Sequence, residues 1–250
     1  MFKTFLTFLL LLVLNFSMFT QQSRAYNDIN WRIYHQVDFD KYIDVTTEEW
    51  KSMSIEEKDK LLQIPETELK TISTEELIET FTSSFYARNF FLHSKIDDYY
   101  EKLFISFNAV SELISREDVV SEVIKYYANL NPLEKTYNRS GIQACYQVQF
   151  IEYLIGNPNL VIKYRTEDVK VIVSELLKKY KSKLNAEPGN RKLYESNIYA
   201  ISKLLGRDDT GMKNELMQID DIISLQKTGR SFNTLTEAQI IALANNFVNN

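Results

Sequence analysis

Residues 96–127 read IDDYYEKLFISFNAVSELISREDVVSEVIKYY. Ile96, Tyr100, Leu103, Phe104, Phe107, Val110, Leu113 and Ile114 recur at steps of three and four, which places them on one face of an α-helix. The spacing predicts a helix of about five turns. From Ser115 a second helix follows, with Val119, Val120, Val123, Ile124 and Tyr127 facing inward. Working outward, the same period continues on both sides. Leu77, Ile78, Phe81, Phe85 and Tyr86 carry it after Thr74, and helices are expected over 142–155, 166–184, 191–205, 212–226 and 237–248. Thr46/Glu49, Ser54/Glu57, Ser73/Glu76 and Thr236/Gln239 have the spacing of a capping box, in which hydroxyl and carboxylate or amide satisfy the free amides of a first turn. Pro65 suits the start of a short helix, and Gly156, Gly189 and Gly206 follow helix ends, where a left-handed residue is cheap for glycine. The expected fold is all-α: antiparallel helical hairpins stacked as a bundle or a short α-solenoid, with an extended N-terminal arm.

The arm is residues 26–45. Trp31, Ile33, Val37, Phe39 and Ile43 alternate with Arg32, Gln36, Asp38 and Asp40, a period of two that marks extended chain. No second strand is available to pair with it, so it is expected to lie on the helical body, either pinning the first helices or offering a surface to a partner. Residues 46–250 form the helical domain, with a sub-boundary expected at 131–141, where NPLEKTYNRSG interrupts the apolar spacing.

Before the arm stands a leader. Lys3 gives a basic start, Phe5–Phe16 (FLTFLLLLVLNF) an apolar run, and Ser23 and Ala25 the small residues that flank a cut after Ala25. These are the parts of a secretory signal peptide, and the run is short of the roughly 20 apolar residues that span a bilayer. A secreted or periplasmic product follows, with no integral membrane segment after cleavage; the alternative is an envelope protein retained by an uncut Phe5–Phe19 segment. Removing Met1–Ala25 takes away Lys3 and Arg24 and no acid, so 29 basic residues become 27 against 34 acids, a net charge of −7. That balance argues against nucleic acid or an anionic bilayer as partner. Cys145 is the single cysteine, so no intramolecular disulfide is possible. The 15 Tyr and 15 Phe supply bulk for the core instead.

No segment carries a recognisable catalytic, metal or cofactor motif. His35 and His93 lie in different segments without a ligand-type neighbour one helical turn away. Cys145 stands early in a helix, yet no basic residue nearby in sequence activates it. Asp38, Asp40 and Glu49 imitate a calcium loop, but Tyr42 and Ile43 fill a ligand position and the obligatory glycine. The segment 206–211 (GRDDTG) lacks the lysine of a phosphate loop, and Asp220-Asp221 reads as a helix border. Asn138-Arg139-Ser140 is a glycosylation sequon only in a eukaryotic secretory pathway. Asp97, Asp98, Glu101, Asp208 and Asp209 are the acids from which a paired-carboxylate site could be built.

Trp50, Gln63-Ile64-Pro65-Glu66, residues 69–80 (LKTISTEELIET), Phe107-Asn108-Ala109, Glu112-Leu113, Arg116 and Asp118 together resemble an uncharacterised family of secreted all-helical bacterial proteins; residues 200–207 (AISKLLGR) extend the resemblance. Where that pattern continues Cys-Leu-Asn-Tyr-Pro, this chain has Phe81-Thr82-Ser83-Ser84-Phe85. The resemblance implies bacterial export and an all-helical domain, and no activity. Two functions fit the whole reading: an exported non-catalytic module that binds another protein or an envelope component, or a secreted hydrolase of glycan or cell-wall material using two of the five acids. N-terminal sequencing of the exported product is expected to begin at Tyr26; a product that keeps Met1–Ala25 would instead establish the uncut segment.

Overall fold

The apolar spacing resolves into fourteen α-helices and no strand among the residues described by a computed structural model, namely 47–84, 86–87, 95–133, 141–187, 189–230 and 232–250, without the side chains of 55 and 141–146. The expected arm, His35, His93, the calcium-like Asp38 and Asp40, and the sequon lie outside the described residues, as does the side chain of Cys145.

The chain divides into two units, Met1–Lys58 and Asp59–Asn250. In the first, α1 (Glu48–Ser52) is capped by the Thr47 hydroxyl, one residue beyond the expected Thr46, which accepts from the Trp50 amide at 3.1 Å. Lys58 places its ammonium 5.7 Å from the Trp50 ring. Helix α2 (Ile55–Leu62) starts on the Ser54/Glu57 box, with both reciprocal bonds made. It runs across the division into the second unit.

The second unit holds α3 (Glu66–Leu69), α4 (Thr74–Ser83), α5 (Ile96–Ser106), α6 (Asn108–Ser115), α7 (Val119–Asn129), α8 (Gly141–Ile155), α9 (Pro158–Val161), α10 (Thr166–Ala186), α11 (Glu195–Leu205), α12 (Lys213–Leu216), α13 (Ile222–Thr228) and α14 (Thr234–Asn249). Helix α11 is the axis. Residues 196–202, Leu204 and Leu205 are buried, so the helix is enclosed nearly all round. Helices α8, α10, α13 and α14 pack against it, and α4, α6 and α7 form a second group joined through α8 and α10. Helices from both sides of 131–141 therefore pack together within this one unit. At the join of α4, α5 and α8 the core is aromatic: Phe81 and Phe150 centroids are 4.6 Å apart, and Tyr100 stacks on Phe150 at 5.5 Å. The buried Tyr100 hydroxyl donates to the Phe150 carbonyl at 2.6 Å.

Four expectations are corrected by tertiary contacts. The long helix from Ile96 breaks at Phe107, whose backbone is extended. The break is stable because Gln63 substitutes for the lost helix bonds. Its amide donates to the Ser106 carbonyl at 2.7 Å and accepts from the Asn108 amide at 2.9 Å. The next helix starts at Val119 rather than Ser115, because Arg116 is extended and its guanidinium is held by the carbonyls of Leu69 and Ile72 at 2.8 and 2.9 Å. The helix expected over 212–226 is two, α12 and α13, separated by Asp221 in the left-handed region at φ 63°. Beyond it, Asn233 rather than Thr236 caps α14. The buried Thr236 hydroxyl donates to the Asp220 carbonyl at 2.9 Å and so ties the two corners together.

Close approach fixes one turn in particular. Gly229 ends α13 at φ 75°, and a Cβ there would stand 2.7 Å from Ile96 Cγ1 and 3.0 Å from Tyr153 Cε1. Gly229→Ala therefore combines backbone strain with overpacking between α5, α8 and α13. It is expected to destabilise the fold by about 3 kcal/mol and lower Tm by roughly 6–12 °C, read by thermal unfolding of the two proteins side by side.

Candidate functional site

The five acids singled out by sequence are spread over two regions. Asp97, at the start of α5, accepts from the Tyr199 hydroxyl and from Lys203 Nζ, the latter at 2.8 Å, so α11 holds it. Asp98 pairs with Lys95 at 3.4 Å, and Glu101 is exposed. In the turn after α11, Asp208 pairs with Lys213 at 2.6 Å. Asp209 is gripped by the Arg207 guanidinium at 2.7 and 2.8 Å and accepts from Thr166 at 2.8 Å. Chiefly through the Arg207 hydrogen bonds, its carboxyl is held down to about 2. No two of the five accept from a common donor among the described contacts. Asp97 ties α5 to α11 and Asp209 ties its turn to the start of α10, whereas Asp98 and Asp208 pair with lysines close in sequence. Among the described residues no group of three or more His, Cys, Asp or Glu gathers in a metal-binding arrangement.

Within the second unit, several of the residues that carry the resemblance meet in space. Ile64 exchanges both backbone bonds with the Asn108 side chain, at 3.1 and 2.7 Å. Arg116 spans Leu69, Ile72 and Thr74 while pairing with Glu112 at 3.2 Å, and Thr74 donates to Asp118 at 2.7 Å. Side chains from α6 and α7 thus stand in for helix bonds missing from the turns around α3, a structural role.

A cluster that sequence reasoning missed lies in the core. Glu152 of α8 and Lys183 of α10 are fully buried, with Nζ 2.9 Å from Oε1 and 2.7 Å from Oε2. The third proton of the ammonium goes to Asn197 Oδ1 at 3.0 Å, so every Lys183 donor is used. Glu152 Oε1 also accepts from the Tyr127 hydroxyl and from Asn197 Nδ2, both at 2.7 Å, and Oε2 accepts from the Ser196 hydroxyl. Four helices, α7, α8, α10 and α11, are joined in one set of bonds. Isolated charges at this depth would be expelled from the fold, whereas a saturated pair is tolerated; removing one partner strands the other at a cost of about 3–5 kcal/mol. The signal was present but quiet. Glu152 interrupts QFIEYLI, and Lys183 continues the apolar stripe Ile172, Leu176, Tyr180 by one more turn.

Beside it, Glu195 opens α11 in a second partly buried set. It accepts from Tyr153 at 3.4 Å, and Arg230 Nε lies 3.8 Å away. Burial outweighs Arg230, Tyr153 and Lys192, and raises its carboxyl to about 7. Nearby, Lys179 donates to the Ala128 carbonyl at the end of α7 at 3.3 Å, and its ammonium lies 4.8 Å from the Tyr127 ring; burial lowers its proton affinity.

On the outside, one corner is apolar and exposed. Met217, Ile223 and Leu235 keep 42, 68 and 63 % of their surface in water. Their segments are held together by the Thr236–Asp220 bond and by Asn233 Nδ2 donating to Asp221 at 2.9 Å. Asp220 and Asp221, between Met217 and Ile223 in sequence, are exposed as well, so acids flank these apolar side chains. No helix among the described residues is long and apolar enough to cross a membrane.

Glu195 sets a pH dependence with a defined sign. The unfolded chain loses this proton near pH 4.5 and the folded one keeps it to about 7. Stability from this group therefore falls as pH rises between those values, by at most about 3 kcal/mol, and is level above them. Glu195→Gln is expected to abolish that part of the slope, read as the difference in urea midpoints at pH 5 and pH 7.5 between the two proteins; an unchanged difference would place the proton elsewhere.

Comparison with known proteins adds no relative: no family model, no curated protein and no solved structure matches the chain.

Proposed function

We propose that this chain is an exported, non-catalytic helical module that binds another protein or an envelope component through the corner where α12, α13 and α14 meet. The observation that carries the reading is the exposure of Met217, Ile223 and Leu235 on segments fixed to each other by hydrogen bonds. Exposed apolar side chains on rigid supports lose little entropy when covered, which suits them to recognition. The flanking acids select a partner with apolar and basic groups, in keeping with a chain whose overall charge disfavours nucleic acid and anionic bilayers. Export rests on the leader at Met1–Ala25 and on the family resemblance at residues 50–118.

The hydrolytic alternative draws less support. Four of its five acids, Asp97, Asp98, Asp208 and Asp209, are neutralised by a neighbouring lysine or arginine within the fold. A general acid needs the opposite environment, one that keeps its proton at working pH.

A photo-crosslinking residue at Leu235, with a control at the exposed Lys181, tests the proposal on the full chain in its native envelope fraction and medium. One adduct is expected from position 235 and not from 181, with its yield falling at least tenfold when Ile223→Asp is added. Equal labelling from both positions, or an adduct indifferent to Ile223→Asp, would end the reading.

A further inference from the structure

The buried cluster brings an amine, a carboxamide and a carboxylate into mutual contact. Lys183 Nζ is 3.0 Å from Asn197 Oδ1, so the carbonyl carbon of that amide is one C=O bond, about 1.23 Å, beyond an atom the amine already touches. Glu152 contacts both groups that would react. It accepts from Lys183 Nζ at 2.7 and 2.9 Å and from Asn197 Nδ2 at 2.7 Å. Lys183, Glu152 and Asn197 are all fully buried. A lysine amine, a carboxamide and a carboxylate held together out of water are the reactants and the proton carrier for an amide exchange. We propose that Lys183 and Asn197 join in an intramolecular isopeptide bond, with Glu152 carrying the proton.

The step balances without any co-reactant. One ammonium proton moves from Lys183 Nζ along its hydrogen bond to Glu152, leaving a neutral amine beside a neutral acid. The amine lone pair attacks Asn197 Cγ, and the C=O electrons move onto Oδ1. Glu152 gives its proton to Nδ2, with which it is already in contact. The attached Nζ, now carrying the positive charge, passes a second proton to Glu152; the carbonyl reforms, the Cγ–Nδ2 bond breaks, and the departing nitrogen leaves as ammonia. Of the three original protons on Nζ, one stays on the new amide, one leaves in the ammonia, and one remains on Glu152. Tyr127 orients the carboxylate by donating to Oε1 at 2.7 Å, and a second contact of its hydroxyl, 3.2 Å from Nδ2, helps fix the amide. Burial serves the reaction by holding the three groups in contact and by excluding water as a competing nucleophile. The product ties the last turn of α10 to the first turn of α11, a covalent staple in a chain whose single cysteine provides none.

Mass spectrometry of the full folded chain decides the matter. Trypsin is expected to release residues 182–191 and 193–203 as one branched peptide, lighter than their sum by one ammonia, about 17 Da, with no cleavage after Lys183. Lys183→Arg retains the buried cation but cannot form the bond, and Glu152→Gln removes the proton carrier. Both variants are expected to be cut after position 183 and to give only linear peptides, 182–183, 184–191 and 193–203. The wild-type result does not depend on whether the variants fold. Linear peptides ending at Lys183 and containing an intact Asn197, recovered from wild-type protein held folded for days, would overturn the proposal. So would an ammonia loss mapped to any other residue, or a branched peptide that persists at full yield in folded Glu152→Gln.

Discussion

The contact between Glu152 and Lys183 is the constraint from which the larger unit is organised. Two opposite charges have been taken entirely out of water, and such a pair persists only if geometry satisfies every proton and lone pair around it. Satisfying it takes Tyr127 from α7, Ser196 and Asn197 from α11, and the two charged residues from α8 and α10. The register of all four helices is thereby fixed together. Apolar side chains alone would tolerate sliding, since Leu against Ile is nearly as good one turn away. A saturated polar cluster has one arrangement and no near neighbour in energy, which gives it the role of specifying the packing rather than supplying bulk stability.

Around that centre the aromatic residues do the filling. Phe81, Tyr100 and Phe150 close the space between α4, α5 and α8, and Tyr153 and Tyr199 meet at 5.2 Å between α8 and α11. Four buried tyrosine hydroxyls donate to acceptors that become long-range links: Tyr100 to Phe150, Tyr127 to Glu152, Tyr180 to Glu237, Tyr199 to Asp97. Large rings also force close approaches elsewhere. Gly156 lies where a Cβ would stand 2.6 Å from the Tyr199 ring, so the end of α8 can pass α11 only as glycine. Without disulfides, cohesion in this unit comes from rings and the polar bonds that terminate them.

Helix identity was legible because period and punctuation agreed. Ser73 with Glu76 and Ser54 with Glu57 are local signals whose partners lie within four residues, and each forms its cap. The misread positions have partners far away in sequence. Phe107 breaks a helix because Gln63, more than forty residues earlier, takes over its bonds, and Thr236 leaves its expected capping role for the carbonyl of Asp220. The candidate acids failed to converge for a related reason. Sequence places Asp97 at an element end, where acids are common, but its cation arrives from Lys203, 106 residues away; Asp209 is paired locally, by Arg207 in the same turn.

The sequence by itself determined an all-α chain, the positions of most helices and the polarity of their faces, because 3.6-residue periodicity and capping are short-range properties of the backbone. It also marked Phe5–Phe16 as an export-type apolar run, a matter of composition alone. Only the tertiary structure decided that a glutamate, a lysine and an asparagine from three different helices share one dry site, and that Glu195 holds its proton to about 7. Burial and proximity are properties of the packed chain: a side chain's dielectric surroundings are set by residues 14 to 45 positions away, and no local pattern encodes them.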